Sequence, residues 1–279
     1  MTDLRLGALG FGLRGSLARI AHRPGRGSRV TVVAEHDPVL RDCAADRIPG
    51  ARTVDDHHKV IGDPEVDAVL VLTPDHTHAD IACEALGAGK AVFVEKPLDI
   101  TIERCDRYTE DGHWPPHTQR ALNPVIDVED VSRVNMRLDN GVLAAYQQCH
   151  FTPDYWRNYT VIGDAGRLEN FGDGPGGVVK VWNSRRSGQR DRADAEYRVP
   201  EADENTAHGG ADPLLIDEFL RFAREGGRTD TSPVAARMAV AAGFRATESL
   251  RDGGTAREVP PLARDLVAYF ERGQVRREA

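Results

Sequence analysis

The sequence is short of cysteine and has no long apolar run, and each shortage excludes a class of protein. The four cysteines, Cys43, Cys83, Cys105 and Cys149, are 40, 22 and 44 residues apart. That spacing fits neither a CxxC metal site nor a disulfide-rich secreted scaffold. No window approaches about 18 consecutive apolar residues, so the sequence predicts no membrane span. The chain opens without a signal-peptide pattern, and we expect a reducing, cytoplasmic location.

Basic charge is also scarce, which argues against a nucleic-acid partner. The formal net charge is −8, so no basic surface is available to release counterions from a phosphate backbone. Only 4 Lys stand against 32 Arg, which makes a lysine at a strand end easy to notice. The length of 279 residues and the apolar fraction of 40% indicate a globular chain of about two domains.

Strands and helices alternate over the first hundred residues. Apolar runs typical of buried strands cover residues 4–9, 29–34, 66–72 and 91–94. Helical spacing covers residues 16–22 and 40–48, and a third helix follows Thr73-Pro74, which resembles an N-cap with proline at the first helical position. This alternation implies right-handed crossovers and a parallel sheet of the α/β class, covered on both faces.

A glycine-rich loop joins the first strand to the first helix. Its residues are Gly10, Phe11, Gly12, Leu13, Arg14 and Gly15. In a GxGxxG loop at this place, Gly10 permits a tight turn, Gly12 lets the backbone approach a pyrophosphate, and Gly15 lets helix and strand pack closely. The pyrophosphate would then face the free N–H groups of a helix start. The loop therefore predicts a dinucleotide site.

Asp37 follows the second predicted strand and suits the ribose of such a dinucleotide. A carboxylate at that strand end can accept hydrogen bonds from the adenosine ribose diol. It would also repel a 2′-phosphate, which favours NAD over NADP. The nearby Arg41 leaves NADP open.

Two neighbouring strands end in polar motifs where ligands bind in open α/β sheets. One ends in TPDHTH, residues 73–78, and the other in Glu95-Lys96-Pro97. An ammonium beside a nicotinamide can bond a substrate hydroxyl and steer its proton during hydride transfer, which makes Lys96 a candidate catalytic residue. A solvated strand-end lysine is the alternative, as is a first-turn histidine for His78. Lys96-Pro97 can adopt a cis peptide bond.

A metal site is not expected from the histidines of this region. His57, His58, His76 and His78 lie close in sequence, but no Cys or carboxylate is spaced to complete a ligand set.

These motifs resemble the nucleotide domain of the Gfo/Idh/MocA oxidoreductases. The resemblance rests on GALGFGLRG, VVAEHDP, VLTPDHTH and VFVEKPL, in that order, and continues in IDVEDVSRVNMRLDNGVLAAYQQCHFTPDYWRNYTVIGDAGRLEN and HGGADPLLIDEF. It implies a two-domain enzyme that oxidises or reduces a sugar, cyclitol or related polyol with NAD(P). The implied cofactor contacts are the glycine loop, Asp37, Thr73, Pro74, Asp75, His78, Glu95 and Lys96. Lys96 is implied to serve catalysis and substrate binding.

The second half of the chain reads as an antiparallel sheet with helices. Strands are predicted at residues 131–138, 141–151, 155–162, 167–171, 178–182 and 196–199, and helices at 212–223 and 233–250. Asp139-Asn140-Gly141 favours a type I′ hairpin turn between the first two strands. We therefore predict an NAD(P)-binding Rossmann domain at residues 1–118. An α+β domain for substrate binding and oligomerisation follows at 119–279.

The middle of the chain is shorter than the resemblance implies. Roughly a hundred residues, about a small domain's worth, are absent after the EKP motif. They include a catalytic element with an Asp and a His one helical turn apart. The absence of this segment would shorten the second sheet and expose an edge and apolar surface. We therefore expect a homo-oligomer formed through that sheet.

Four residues of the second half could compensate as substrate contacts. His208 lies in a His-Gly-Gly loop before a helix, and Tyr155, Trp156 and Arg157 offer an aromatic platform with a cation. Ordinary strand residues are the alternative for these three. Two functions remain. One is an NAD(P)-dependent polyol oxidoreductase, and the other is a catalytically impaired homologue that still binds the dinucleotide.

Overall fold

The structure is a computed structural model that describes residues 2–97, 131–150, 156–184, 192–201 and 207–274. Chain contacts divide it into two compact units. The first comprises residues 1–126 and 213–279, and the second comprises residues 127–212. The predicted boundary between residues 118 and 119 lies outside the described residues.

A five-stranded parallel sheet forms the centre of the first unit. Its strands, in the order β3-β2-β1-β4-β5, are β1 (Leu4–Leu9), β2 (Ser28–Ala34), β3 (Arg52–Val54), β4 (Ala68–Val71) and β5 (Ala91–Val94). The Rossmann-type parallel sheet predicted from the sequence is confirmed. Strand β3 was not predicted, because three residues are too few to show an apolar pattern. The strand order reverses between β1 and β4, where open α/β sheets bind ligands.

Four helices follow the strands of this sheet: α1 (Gly15–Ala21), α2 (Pro38–Arg47), α3 (His58–Ile61) and α4 (His78–Gly87). The helix predicted to begin at Thr73-Pro74 begins later. Pro74 has ψ 143, an extended backbone, and a 3₁₀ turn at Asp75–Thr77 precedes α4. The predicted N-cap at Thr73 is therefore wrong, because the chain first makes a tighter turn across the strand end.

Apolar side chains cover both faces of the sheet. Leu6, Leu17, Val33 and Leu70 belong to the cluster on one face, with α1 and α2. Leu9, Val60, Val69 and Ile81 belong to the cluster on the other face, with α3 and α4. Full burial stabilises each such side chain by about 1.5–3 kcal/mol relative to exposure.

Helix α5 (Ala211–Glu225) completes the first of these clusters from the far end of the chain. Ile216, Phe219 and Leu220 are buried in it, and the Phe219 ring meets Phe93 of β5 edge-on at 5.7 Å between centroids. Asp217 pairs with Arg23 at 2.5 Å. This packing groups residues 213–279 with the parallel sheet, which differs from the continuous second domain predicted over 119–279.

The remaining helices of the first unit are α6 (Pro233–Arg251) and α7 (Arg264–Glu271). Ser232 caps α6, and proline occupies its first turn, which favours a helix start at the predicted residue 233. Helix α7 was not predicted. None of the described helices has the length and apolar character needed to cross a bilayer.

An ion pair joins β1 to the turn before β4. Arg5 Nη2 lies 2.7 Å from Asp67 Oδ1 and its Nε 3.1 Å from Oδ2, a bidentate arrangement. Hydrogen bonding by the Arg5 guanidinium lowers the pKa of Asp67 below its usual range.

The second unit contains antiparallel strands in two sheets. One pairs β6 (Val131–Arg137) with β7 (Leu143–Cys149), and the other has the order β11-β10-β9-β8. Its strands are β8 (Thr160–Gly163), β9 (Gly166–Phe171), β10 (Val178–Trp182) and β11 (Ala195–Arg198). The predicted α/β fold with an antiparallel C-terminal sheet is confirmed. Every residue of β8 is exposed.

The hairpin between β6 and β7 differs from the predicted type I′ turn. That turn needs positive φ at both central residues. Of Asp139, Asn140 and Gly141, only Gly141 has a positive φ, of 87. Leu138 N donates to Val142 O at 2.8 Å, which leaves a three-residue loop. Asn140 Oδ1 accepts from Val142 N at 3.1 Å, so the side chain stabilises the longer turn.

Candidate dinucleotide site

The glycine loop leaves β1 through a backbone that only glycine adopts easily. Gly10 has φ +91, and a Cβ there would lie 2.7 Å from the carbonyl oxygen of Leu72. Gly10 N donates to Ala34 O at 2.8 Å, which fixes the loop to the end of β2. Gly15 packs against the Phe11 ring, and a Cβ at Gly15 would lie 3.2 Å from the nearest atoms of that ring.

Beyond Gly10 the loop opens toward solvent and can accommodate a diphosphate. A Cβ at Gly12 would meet nothing within 4 Å, and Leu13 is 93% exposed. Within the described part of the chain, no acceptor faces the Gly12 or Leu13 amide. Amides at a helix start with open space before them suit an anion. The loop therefore fits the phosphates of a dinucleotide.

Glu35 holds the loop in this conformation, and the sequence analysis did not single it out. Its Oε2 accepts from the Phe11 amide at 2.7 Å, and its Oε1 accepts from the Asp37 amide at 3.1 Å. The side chain is buried at the carboxyl end of β2. A carboxylate accepts about four hydrogen bonds, so Glu35 retains capacity for a sugar hydroxyl. Its position directly after the second predicted strand is the sequence feature that could have identified it as a site residue.

Asp37, the carboxylate predicted to bind ribose, occupies a capping position. Its Oδ1 accepts from Val39 N at 2.7 Å and from Leu40 N at 3.3 Å, and Pro38 follows in the first turn of α2. An Asp before a Pro is a strong N-cap signal. The structure therefore gives Asp37 a role in starting α2, and places Glu35 closer to the loop.

Arg41, the residue that left NADP open, is engaged by main-chain acceptors. Its Nη1 lies 2.8 Å from Glu35 O and 3.1 Å from His36 O. These bonds hold the guanidinium against the end of β2.

Arg14 of the loop reaches the EKP motif on β5. Its Nε lies 3.2 Å from Glu95 Oε1 and its Nη2 3.4 Å from Oε2, and both side chains are largely buried. The pair joins the two ends of the predicted site across β4. Glu95 is therefore engaged by a loop residue, and Arg14 positions the loop relative to the lysine that follows Glu95.

His78, predicted to contact the cofactor, is fully buried with both ring nitrogens against main-chain carbonyls. Nδ1 lies 2.7 Å from Pro97 O and Nε2 2.8 Å from Thr73 O. Both ring nitrogens are therefore engaged by the main chain, and a cofactor contact at His78 stays a prediction. The ring ties the residue after Lys96 to the end of β4.

The other residues after β4 line the strand end. Thr73 Oγ1 accepts from Thr77 Oγ1 at 2.7 Å, while Pro74 and Asp75 are exposed. Their contact with a cofactor stays a prediction.

Lys96 is exposed at the end of β5. The peptide bond to Pro97 is cis, as the sequence allows. Carboxyl ends of parallel strands meet at one edge of a sheet, so Lys96 and the glycine loop share that edge.

The predicted substrate residues belong to the second unit, where described. Tyr155 lies outside the described residues. Trp156 and Arg157 are exposed, and the Arg157 carbonyl accepts from buried Asn170 at 2.9 Å. Their roles stay predictions.

His208 lies beside a buried carboxylate in the second unit. Its Nδ1 is 3.1 Å from Asp212 Oδ1, its side chain is 62% exposed, and that of Asp212 is 1% exposed. His208 has φ 52, an uncommon backbone conformation for a non-glycine residue.

Comparison with known families agrees with this geometry. The sequence model of the Gfo/Idh/MocA oxidoreductases, described as an oxidoreductase family with an NAD-binding Rossmann fold, matches residues 4–111. Residues 4–111 are therefore similar to the NAD-binding Rossmann domain of that family, which confirms the predicted resemblance over this segment and agrees with the predicted cofactor.

Curated relatives match part of the chain. The inositol 2-dehydrogenase of Mycolicibacterium gilvum (strain PYR-GCK) is 42% identical over 177 residues, covering 59% of this chain and 50% of that protein. The inositol 2-dehydrogenase of Acidothermus cellulolyticus is 39% identical over 109 residues, covering 39% of this chain and 32% of that protein. The matches thus span half of these relatives or less.

Solved structures share the fold over nearly the whole chain. A levoglucosan dehydrogenase in complex with NADH and L-sorbose has a TM-score of 0.72 and 18% identity, covering 94% of this chain and 100% of that one. At this identity the likeness establishes the fold alone.

Proposed function

We propose that the protein is an NAD-dependent oxidoreductase that transfers hydride between nicotinamide and a carbinol carbon of a cyclitol or related sugar. The observation that carries the proposal is the open glycine loop, where a Cβ at Gly12 would meet nothing within 4 Å and the Gly12 and Leu13 amides have no main-chain acceptor among the described residues. Lys96 stands on the same edge of the sheet. The inositol 2-dehydrogenases among the relatives support the substrate class.

Each end of the site has a distinct task. The loop amides bind the diphosphate, and the Glu35 carboxylate accepts from the adenosine ribose. When bound, NAD supplies the hydride acceptor. Lys96 donates a hydrogen bond to the carbinol oxygen and steers its proton as the carbon is oxidised. The carboxylate at the ribose end, together with the engagement of Arg41 by carbonyls, favours NAD over NADP.

His208 stays a predicted substrate contact. Replacing it by Gln should raise KM for the substrate while kcat changes little, because a contact made equally in the bound substrate and the transition state contributes only to binding. Unchanged KM and kcat in the variant would remove His208 from substrate binding.

Turnover is tested on the full chain with NAD⁺ and a panel of inositols and anhydrosugars, followed at 340 nm. We expect turnover with at least one cyclitol or sugar, and a loss of about a hundredfold or more in Lys96→Met, since general acid–base residues contribute about 10²–10⁴-fold. Lys59→Met, which removes an exposed lysine paired with Asp55, is the matched control. Activity retained in Lys96→Met would contradict the assignment, and NADH binding without any turnover would favour the impaired homologue.

We also propose that copies of the chain associate through the sheet β8–β11. Exposed apolar side chains on these strands support this, because exposed apolar surface marks association. Ile162 and Phe171 lie on one face of the sheet, and Val161 and Tyr197 lie on the other. Sedimentation should give an oligomer for the wild type and a smaller species for Ile162→Glu. A monomeric wild type at micromolar concentration would contradict the proposal.

A further inference from the structure

Two histidines and two carboxylates meet on the surface of the first unit, away from the glycine loop. Asp56, His57 and His58 lie between β3 and the first turn of α3, and Glu84 lies on α4. One ligand atom of each of Asp56, His57 and His58 lies within 4.8 Å of the others. The dinucleotide site uses none of these side chains.

Glu84 faces both imidazoles from the neighbouring helix. Its Oε2 lies 3.6 Å from His57 Nε2 and 3.5 Å from His58 Nε2. In a tetrahedral zinc site with bonds of 2.0–2.1 Å, two ligand atoms are about 3.4 Å apart. The distances from Glu84 to each histidine are therefore close to those of a filled site.

Asp56 acts on the opposite side of the His58 ring. Its Oδ1 lies 2.7 Å from His58 Nδ1 and accepts from the His58 amide at 2.9 Å. A carboxylate on the far nitrogen of an imidazole fixes the tautomer and ring orientation of a metal ligand. His58 Nε2 lies on the opposite side of the ring, 3.5 Å from Glu84 Oε2.

The two imidazole rings lie next to each other. Their centroids are 4.1 Å apart with a tilt of 33°. Two imidazoles at that distance can bind one divalent ion together beside the carboxylate. Imidazole nitrogen with carboxylate oxygen suits Zn²⁺ and similar transition metals better than Mg²⁺ or Ca²⁺.

We propose that His57, His58 and Glu84 bind a zinc-type divalent cation, with Asp56 orienting His58. The sequence excluded a metal site here because no carboxylate is suitably spaced along the chain; the fold supplies one from α4. The ion would link α3 to α4 on one face of the parallel sheet. Because it binds the folded chain, it raises the thermal midpoint.

The test is a Zn²⁺ titration of the full chain, with affinity tags removed and metal stripped, against a chromophoric chelator. We expect one equivalent to bind and the thermal midpoint to rise with Zn²⁺. Glu84→Gln should weaken binding about tenfold or more. Asp56→Asn, which keeps the ligands and removes the orienting charge, should weaken it about 10–100-fold.

Two matched variants separate this site from other zinc ligands. Cys83 is an exposed thiol adjacent to Glu84, and His150 is an exposed histidine of the second unit. Cys83→Ser and His150→Asn should both bind Zn²⁺ as the wild type does. The proposal is overturned if no stoichiometric Zn²⁺ binds, if Glu84→Gln binds equally well, or if Cys83→Ser abolishes binding. Thermal unfolding without metal checks that each variant folds.

Discussion

The two units differ most in how their sheets are covered. All four residues of β4 in the first unit are buried, whereas all four residues of β8 in the second unit are exposed. Helices on both faces make the parallel sheet the better packed of the two. Packed strands hold the residues at their ends in fixed positions, which is what a dinucleotide site requires.

Truncating a core side chain should give the largest difference between the units. Leu70 of β4 is fully buried, whereas Leu143 of β7, outside the proposed association surface, is 79% exposed. Leu70→Ala should lower the free energy of unfolding by about 2–5 kcal/mol, because it leaves a cavity. Leu143→Ala should change it by no more than about 0.5 kcal/mol. Denaturant titration compares the two variants, and similar losses would show that β7 is covered as well as β4.

Glycine replacement sharpens the comparison at the level of the backbone. Gly10→Ala places a Cβ 2.7 Å from a carbonyl oxygen at φ +91, whereas Gly163→Ala in the second unit meets nothing within 4 Å. Gly10→Ala should lower the free energy of unfolding by about 2 kcal/mol or more and abolish NADH binding. Gly163→Ala should lower it by about 0.5 kcal/mol or less. A Gly10→Ala protein of wild-type stability would contradict the close approach of loop and strand.

Replacing the two carboxylates that follow β2, Glu35 and Asp37, should affect NADH binding to different degrees. Glu35→Gln should weaken NADH binding about tenfold, because a hydrogen bond to a charged group contributes about 1.5–3 kcal/mol. Asp37→Asn should bind NADH almost normally, because Asn caps a helix nearly as well as Asp. The reverse order would restore Asp37 as the ribose ligand.

The smallest expected effect is the pH-dependent contribution of the Arg5–Asp67 ion pair to the free energy of unfolding. Because the pKa of Asp67 is lowered in the folded chain, its ionised form contributes stability above the unfolded pKa. That contribution is lost as the pH falls through the folded pKa. Asp67→Asn should therefore be less stable than the wild type by up to about 1 kcal/mol at neutral pH, since the pair is partly exposed. The difference should vanish in strong acid, and a constant difference in urea titrations at each pH would contradict it.

Local pattern predicted the parallel sheet well. Strands β1 and β5 begin and end where the apolar runs do, and the glycine loop is where the motif indicates. The capping of α2 by Asp37 and the late start of α4 depend on backbone geometry that residue types only favour. The apolar strands of the second unit were found by the same patterns, but their exposure was inferred from the shortened middle of the chain.

Long-range packing explains the remaining differences. Nothing in the order of the sequence places α5 beside β5, about 120 residues away in sequence, nor brings Glu84 to His57 and His58. His78 carries the residue type of a ligand, yet its burial between two carbonyls depends on the fold of the EKP segment. Glu35 was overlooked because the carboxylate two residues later also ends the strand.

The most direct measurement is a titration of the purified full chain with NADH, followed by nicotinamide fluorescence, for the wild type and Gly12→Val. A valine at Gly12 fits the free chain, because a Cβ there meets nothing within 4 Å, but it would occupy the space of the diphosphate. The account predicts saturable binding in the wild type and its loss in the variant, with the fold intact by circular dichroism. Equal binding by both proteins, or no saturable signal in the wild type, would contradict it.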